Sequence, residues 1–318
     1  MLELINKAEL KTTVLTNRFI MDQDVAVSSQ KTYARTIKQF ILWIEANGTP
    51  GDITKTDILK YKQSLYDSGK SANTVTSYIN VVKKFFEWLE VEGIYKNVAN
   101  GIKGAKRSNN FKKDALTIPQ VKRLLGSLED HPGKNHREIM TNKRDFAMIN
   151  LMIRTGLRTI ELERANVEDI RQSGGQAVLY IQGKGYHDKD ERVILNHTTL
   201  DPIMDYLNAR GNVKGIDPLF ISHANNSNGE RITTRSIRRT TKKHMGESNI
   251  SSPKLTTHSL RHTAVTFVLL AGGTIQEAQT LARHKSIDTT MIYAHNIDRI
   301  KNAPENKIDQ LLERGAGL

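Results

Sequence analysis

A basic stretch with little apolar content near residue 100 divides this sequence into two parts, each able to bury a core of its own. The stretch runs from Asn100 to Lys113 and contains Gly101 and Gly104. Its cations are Lys103, Lys106, Arg107, Lys112 and Lys113. This composition is typical of a flexible linker, and a linker that passes along DNA would gain from the charge. A chain of 318 residues is long enough for two domains. We therefore predict a domain over residues 1–105, a linker over 106–113 and a second domain over 114–318.

The part before the linker is predicted to be helical. Apolar residues recur at helical spacing in three runs, over about residues 29–47, 56–68 and 75–92. Thr54 or Thr56 is a suitable N-cap for the second run. Lysines and arginines lie between the apolar stripes, and such a face is either simply solvated or able to grip phosphates. The sequence leaves both interpretations open.

The part after the linker is predicted to be mainly helical with a small β-hairpin. Thr117-Ile118-Pro119 is a helix-start signal, and a long apolar helix over about 143–155 ends at Gly156. Residues 177–181 and 192–195 are apolar and β-branched, and the polar loop between them completes a hairpin. The pattern is then helical to the end. The fold class predicted for the whole chain is thus mainly α with a small sheet.

The net charge of +13 and the pI of about 9.7 favour a polyanionic partner. A membrane surface is disfavoured because the cations are spread along the chain. One helical face gathers cations in a way that suits a phosphate backbone. These cations are Arg235, Arg238, Arg239, Lys242 and Lys243. We predict DNA-binding roles for Arg235, Arg238, Arg239 and Lys242 of this face and for Lys103, Lys106 and Arg107 of the basic stretch.

Several classes of protein are disfavoured by composition. No apolar run approaches the roughly 18 residues that a membrane span needs. The N-terminal residues lack the basic-then-apolar pattern of a secretory signal. The sequence has no cysteine, which excludes disulfides and thiolate zinc sites and fits a reducing cytoplasm. We therefore expect a cytoplasmic protein.

Four short segments carry residues suited to chemistry on a phosphodiester, in an order that matters as much as their content. They are Thr155-Gly156-Leu157-Arg158 with Glu161 after it, Gly183-Lys184-Gly185, His258-Ser259-Leu260-Arg261-His262, and Leu281-Ala282-Arg283-His284 followed by Tyr293. Two arginines can each fork onto the non-bridging oxygens of a phosphate and stabilise growing negative charge. A metal ion could do the same, but no carboxylate cluster is evident in the sequence. This set resembles the tyrosine recombinases, also called the phage integrase family, over roughly residues 117–295. The first hundred residues resemble the family's helical core-binding domain more weakly.

The resemblance implies a role for each matching residue. Tyr293 is the implied nucleophile, and since a phenol titrates near pH ~10 it needs help to lose its proton. His258 assists that loss, Arg158 and Arg261 bind the phosphate, and His284 donates a hydrogen bond to it. Lys184 gives a proton to the leaving 5′ oxygen, with Lys189 on the same loop as a rival. Glu161, one helical turn after Arg158, is expected to orient that arginine. We expect a structural role for His262, because the family's proton-transfer role maps to His258.

The resemblance also implies a molecular context. Members form a C-shaped, two-domain clamp on double-stranded DNA, and a homotetramer on two duplexes passes through a Holliday junction. The chemistry implied uses no metal, no ATP and no cofactor, and accessory DNA-bending or directionality proteins are possible partners. Apolar residues of the tail, including Ile308, Leu311 and Leu312, are expected to dock on a neighbouring subunit rather than on their own domain. A type IB topoisomerase-like enzyme and a DNA-binding regulator without catalysis are the alternatives. The sequence leaves three settings open: integration or excision of a mobile element, resolution of DNA dimers, and inversion of a DNA segment.

Overall fold

The computed structural model divides into two compact units, Met1–Asn110 and Phe111–Leu318. It describes residues 13–47, 52–106, 115–129, 133–183, 188–227, 229–301 and 304–315. The described chain is mainly α-helical with a three-stranded antiparallel sheet in the second unit, which confirms the predicted fold class. Within these residues, no helix is long and apolar enough to cross a membrane.

The first unit is a set of helices around an aromatic core. They are α1 (Thr13–Met21), α2 (Val27–Asn47), α3 (Lys55–Asp67) and α4 (Ala72–Val91). Thr54 caps α3, and its hydroxyl accepts from the backbone N–H of Asp57 while the Asp57 carboxylate accepts from the backbone of Thr54. Phe40, Phe85 and Phe86 are buried and pack edge to face with neighbouring rings. The three predicted helices are confirmed, whereas α1 was not predicted.

The second unit begins with two helices and the sheet. Its elements here are α5 (Ile118–Glu129), α6 (His136–Thr155), α7 (Thr159–Arg164), a 3-10 turn (Val167–Asp169), β1 (Ile170–Ser173), β2 (Gln176–Ile181) and β3 (Glu191–Ile194). The predicted hairpin is confirmed as β2 paired with β3, with Leu179 opposite Val193. Strand β1 was not predicted and pairs antiparallel with β2. Helix α6 begins earlier than predicted, because Asn135 caps it at Glu138.

The rest of the second unit is helical. Its helices are α8 (His197–Arg210), α9 (Thr234–Glu247), α10 (Thr257–Leu270), α11 (Ile275–Ala282), α12 (Asp288–Lys301) and α13 (Pro304–Gly315). Helix α6 is the centre of the core, with Met148, Leu151 and Met152 essentially fully buried. It packs against α5, α8 and α10, and α10 in turn packs against α11 and α12. The C-terminal end of α6 is thereby held beside α10 and the segment that joins α11 to α12.

Candidate active site

The site begins where α6 ends. Gly156 lies in the left-handed region at φ 63° and ends the helix. A Cβ at this glycine would lie 3.5 Å from the Cβ of Ala264 on α10, so the turn packs closely on that helix. The chain then turns at once into α7, and Arg158 occupies the N-cap position of that helix. Its side chain is about one third exposed, which leaves it accessible to a ligand.

A buried carboxylate holds two arginines at this turn. Glu161 is fully buried on α7. It accepts hydrogen bonds from Arg158 Nη1 at 2.6 Å and from Arg283 Nη2 at 2.8 Å, and its Oε2 also accepts from the backbone N–H of Arg158. Burial alone would raise the pKa of Glu161, but the charge of Arg283 and the bonds from Arg158 outweigh it and lower the pKa. Glu161 is therefore a carboxylate that fixes both guanidinium groups.

A third arginine, Arg261 on α10, is almost completely buried. Arg261 is 2% exposed and donates to the carbonyl of Gly156 at 2.7 Å and to that of Ala282. Burial, then the nearby positive charges of Arg158 and Arg283, lower its pKa to about 10. The group is still cationic at neutral pH. Its carbonyl partners belong to the turn after α6 and to the last residue of α11, so Arg261 ties these two segments together.

Tyr293 of α12 faces this cluster of cations. It is 5% exposed, and its hydroxyl is hydrogen-bonded to Nδ1 of His262. The ring of His262 in turn contacts that of His258 edge to face, with ring centres 4.6 Å apart. Burial raises the pKa of Tyr293 to about 12, and the charge of Arg261 partly opposes that rise. The phenol is thus protonated, and it already has a histidine nitrogen at its hydroxyl.

His284 follows α11 and completes the group. Its ring stacks on that of Tyr293 at 6.3 Å, and its Nδ1 lies 2.9 Å from the hydroxyl of Thr290. Burial, and then the positive charges of Arg261 and Arg158, lower its pKa to about 4. His284 is therefore neutral near pH 7. His258, at the start of α10, is exposed.

The structure brings together most of the residues singled out from the sequence. Arg158, Glu161, His258, Arg261, His284 and Tyr293 lie in one connected cluster. Lys184 lies outside the described residues. Its neighbour Gly183 is described, and the Gly183 carbonyl accepts from Arg164. The rival lysine, Lys189, is bound to the buried carboxylate of Asp169 at 2.5 Å.

The predicted DNA-binding residues lie in two places. Arg235, Arg238, Arg239 and Lys242 are exposed on α9, on the side opposite its buried residues Ile237 and Thr241. Lys242 also donates to the carbonyl of Ser252. Lys103 and Lys106 lie at the end of the first unit, where the Lys103 carbonyl accepts from Lys62. Arg107 lies outside the described residues.

Sequence analysis does not single out Arg283, whose side chain shares Glu161 with Arg158. It expects a structural role for His262, and the ring nitrogen of this residue lies at the Tyr293 hydroxyl. Its four-residue spacing from His258, which places both on one face of α10, was the available signal.

The cluster is suited to stabilising negative charge next to a nucleophilic hydroxyl. Three guanidinium groups surround one carboxylate, so cationic charge is in excess. Within the described residues, no group of three or more His, Asp or Glu side chains lies close enough to hold a metal ion.

Family models match both units. One described as the phage integrase family matches residues 115–299, and one described as the N-terminal SAM-like domain of phage integrases matches residues 16–94. Among curated relatives, the tyrosine recombinase XerC of Caldanaerobacter subterraneus subsp. tengcongensis is 34% identical over 195 residues, which are 60% of this chain and 50% of that relative. The tyrosine recombinase XerD of Bifidobacterium longum is 28% identical over 295 residues, 89% of this chain and 92% of the relative.

Solved structures show the same fold. The XerH site-specific recombinase in a post-cleavage complex with its palindromic difH substrate aligns with a TM-score of 0.72 at 19% identity, over 88% of this chain and 80% of that one. The Tn1549 transposon integrase in complex with circular intermediate DNA aligns with a TM-score of 0.67 at 17% identity, over 91% and 95%.

Proposed function

This chain belongs to the phage integrase family of tyrosine recombinases, which are site-specific DNA recombinases, and we propose that Tyr293 is its nucleophile. The observation that carries the proposal is the position of the Tyr293 hydroxyl, which is bonded to a histidine nitrogen and lies in the field of the buried Arg261. Any buried phenol needs a hydrogen-bond partner, so the second contact is the informative one: packing alone would not need a buried guanidinium next to the hydroxyl. The experiment must therefore ask whether this oxygen becomes covalently attached to DNA.

We propose a transesterification in two steps. The Tyr293 oxygen attacks a DNA phosphorus, a 3′-phosphotyrosine bond forms, and the bond from phosphorus to the 5′ oxygen breaks. The phenolic proton passes to a histidine, and Lys184 supplies a proton to the leaving 5′ oxygen. In the second step a 5′ hydroxyl of a partner duplex attacks the phosphotyrosine and releases Tyr293. The strands are thereby exchanged through a Holliday junction.

The arginines would stabilise the charge that grows on phosphorus in both steps. A guanidinium has five N–H donors, and the described hydrogen bonds of Arg261 use two of its nitrogens. Arg158, which is partly exposed, has donors that can turn to a phosphate while Glu161 holds the group. His284 is neutral, so a hydroxyl proton from Thr290 at Nδ1 would leave Nε2 as the N–H donor for a phosphate oxygen.

Two histidines are candidates for the phenolic proton. His262 contacts the hydroxyl directly, and His258 lies next to His262 at the exposed start of α10. We propose that His262 orients the hydroxyl and that His258 assists proton removal once DNA is bound. The pair forms an edge-to-face contact through which the position of one ring affects the other.

The reaction proposed here needs neither ATP nor a metal ion. The phosphotyrosine bond conserves the energy of the phosphodiester bond that is broken, so no external energy source is required. The arginine cluster supplies the positive charge that a metal would otherwise contribute.

We propose double-stranded DNA as the partner, because solved relatives of the same fold are bound to DNA. The cations of α9, with Lys103, Lys106 and Arg107, would contact the phosphate backbone of the duplex. A homotetramer on two sites, joined through exchange of α13, would carry out strand exchange in the cytoplasm. Relatives of both kinds, Xer recombinases and a transposon integrase, match the chain, so dimer resolution and element integration are the two proposed settings.

The test uses nicked duplexes tiled across the DNA that flanks the gene. The nick lets the short leaving strand diffuse away, so a covalent complex accumulates and is seen on a denaturing gel. We expect an adduct with wild type and none with Tyr293→Phe, while both bind the same duplex in a native gel. An adduct that persists in the Phe variant would refute the assignment of Tyr293. Joining of strands from two different duplexes, tested in the same reactions, would separate a recombinase from a topoisomerase.

A further inference from the structure

We infer that Arg283 is a positioning residue that locks the segment between α11 and α12 onto the turn that carries Arg158, and thereby sets the geometry of the phosphate-binding groups. The inference rests on the proposed function of the cluster. Arg283 touches neither the nucleophile nor an open surface in the described contacts, so its effect would pass through its neighbours.

The backbone of Arg283 gives the first reason. Its φ is 52°, in the left-handed region that residues other than glycine rarely adopt. Among the described residues, Asn249, with φ 56°, is the other non-glycine residue with a positive φ. Asparagine tolerates that conformation better than arginine does. An arginine held there indicates that its side chain makes interactions that outweigh the backbone preference.

The side chain gives the second reason. It is 9% exposed, and its Nη2 lies 2.8 Å from Glu161 Oε2 while Arg158 binds Oε1 of the same carboxylate. Its Nη1 donates to the carbonyl of Leu281 at 2.9 Å, and its Nε lies 3.4 Å from Glu191 at the start of β3. Arg283 thus joins three segments, namely α7, the end of α11 and the loop end of the β2–β3 hairpin.

The backbone carbonyls around Arg283 give the third reason. The carbonyl of Ala282 accepts from Arg261, and the carbonyl of Arg283 lies 3.5 Å from Nη2 of Arg158. His284 is the next residue. A shift of this short segment would therefore move the partners of both phosphate-binding arginines and the imidazole together.

The test removes the side chain and favours the observed backbone at once. Arg283→Gly lets the chain adopt a positive φ without a Cβ, so the helix end is retained. The matched control is Asn249→Gly, the same kind of backbone change at the end of α9. Single-turnover cleavage is measured on the nicked duplex and on the same duplex with a methylphosphonate at the scissile position, where one charged oxygen is replaced by a methyl group.

We expect Arg283→Gly to slow cleavage of the phosphodiester by about 10- to 100-fold, the scale expected when catalytic groups are misplaced by about 1 Å. Its affinity for the duplex should change little. On the methylphosphonate the loss should shrink to less than about threefold, because the neutral linkage depends less on correctly placed guanidinium groups. Asn249→Gly should cleave both substrates like wild type.

Equal losses on the two substrates would overturn the inference, because a merely distorted site slows both. Wild-type rates for Arg283→Gly on the phosphodiester would overturn it as well. Arg283→Lys, which keeps the charge and most of the stem, is tested in parallel and should show a smaller loss with the same dependence on substrate. It serves as the test if the glycine variant does not fold. Failure of the proposed function itself would appear separately, as wild type that forms no adduct with any duplex.

Discussion

At the level of single residues, burial sets the protonation state of the two rings that face the arginines. Tyr293 has its pKa raised to about 12 by burial, and His284 has its pKa lowered to about 4 by burial and by neighbouring cations. Both groups are therefore neutral near pH 7. The positive charge of the site comes from the guanidinium groups of Arg158, Arg261 and Arg283.

The lowered pKa of His284 predicts a specific loss of stability in acid. Between pH about 6.5 and about 4 the unfolded chain binds a proton at this residue that the folded chain does not. The free energy of unfolding that depends on a neutral His284 is fully present above pH about 6.5 and is lost as the pH falls toward about 4. We expect this loss to be on the order of 1 kcal/mol between about pH 7.5 and about pH 5, after allowance for solvent screening of a partly exposed ring. Urea unfolding of wild type and His284→Gln at both pH values measures it.

Wild type should lose more free energy of unfolding than His284→Gln over this interval. The free energy of unfolding of wild type minus that of the variant should therefore be smaller at about pH 5 than at about pH 7.5. His223, whose pKa is also lowered to about 4, first by burial and then by the charge of Arg144, contributes equally to both proteins and cancels. If the difference in free energy of unfolding between the two proteins is the same at both pH values, His284 has an ordinary pKa in the folded state.

The sequence predicts those residues of the cluster that fall in a recognisable order along the chain. Arg158, Arg261 and Tyr293 belong to short sequence motifs whose order along the chain resembles that of the tyrosine recombinases. Arg283 was missed because its importance depends on a left-handed backbone and on sharing a buried carboxylate across 122 positions of sequence. The contact of His262 with the phenol could not be predicted, because the rotation of α10 relative to α12 decides which histidine reaches the hydroxyl.

At the level of elements, the loop that joins β2 to β3 contains the two lysines that sequence analysis treats as rivals, Lys184 and Lys189. Lys189 forms an ion pair with the buried Asp169, so we expect its role to be in stability. We therefore expect Lys184→Ala to slow cleavage by about 100-fold or more, the scale of general acid catalysis. Lys189→Ala should instead lower stability, by about 1–3 kcal/mol, because the buried carboxylate of Asp169 keeps the hydrogen bond from the backbone of Asn166 but loses its positive partner.

A sulfur substitution tests the assignment directly. A duplex with sulfur in place of the bridging 5′ oxygen has a leaving group whose conjugate acid titrates near pH ~8.5 and which needs little help from an acid. Lys184→Ala should cleave this duplex nearly as fast as wild type does. If only Lys189→Ala is rescued by sulfur, the two roles are reversed.

The exposed face of α9 carries a prediction about salt. Each phosphate contact adds about 0.9 to the slope of the logarithm of affinity against the logarithm of salt concentration. Replacing Arg235, Arg238 and Arg239 by alanine should lower that slope by up to about 3. Binding to duplexes of different sequence should weaken by a similar factor. Lys143→Ala is the control, because that lysine is already paired with Asp205. An unchanged slope in the triple variant would place the DNA on another surface.

Helices and strands with a clear hydrophobic periodicity in the sequence were predicted, whereas β1 and α1, which lack one, were not. The runs that became α2, α3 and α4 have clear helical periodicity. Strand β1 reads Ile-Arg-Gln-Ser, too short and polar to be distinguished from a loop, and it forms because the turn at Gly174 and Gly175 folds it back on β2. Helix α1 is short, and the burial of Phe19 against Phe85 and Trp88 stabilises it through contacts distant in sequence.

At the level of the whole molecule, the proposed cleavage site lies within the second unit, whereas strand exchange needs several copies of the chain. All the clustered residues belong to the unit that begins at Phe111. Cleavage by one protomer and assembly of several are therefore separable properties. The feature that bears on assembly is α13, which carries an apolar stripe.

Helix α13 exposes Ile308, Leu311 and Leu312 at 57%, 71% and 69%. Their spacing places them on one face, and each leucine would stabilise a contact by about 1.5–3 kcal/mol on burial. A second copy of the chain is the proposed occupant. Truncation before Pro304, or the pair Leu311→Asp and Leu312→Asp, should then weaken formation of paired complexes much more than binding of one protomer to a half-site duplex. Gel-shift titrations on half-site and full-site duplexes measure both, with Glu313→Ala as the control. Equal losses on the two duplexes would mean that the stripe packs on its own protomer, and assembly would then have to depend on another surface.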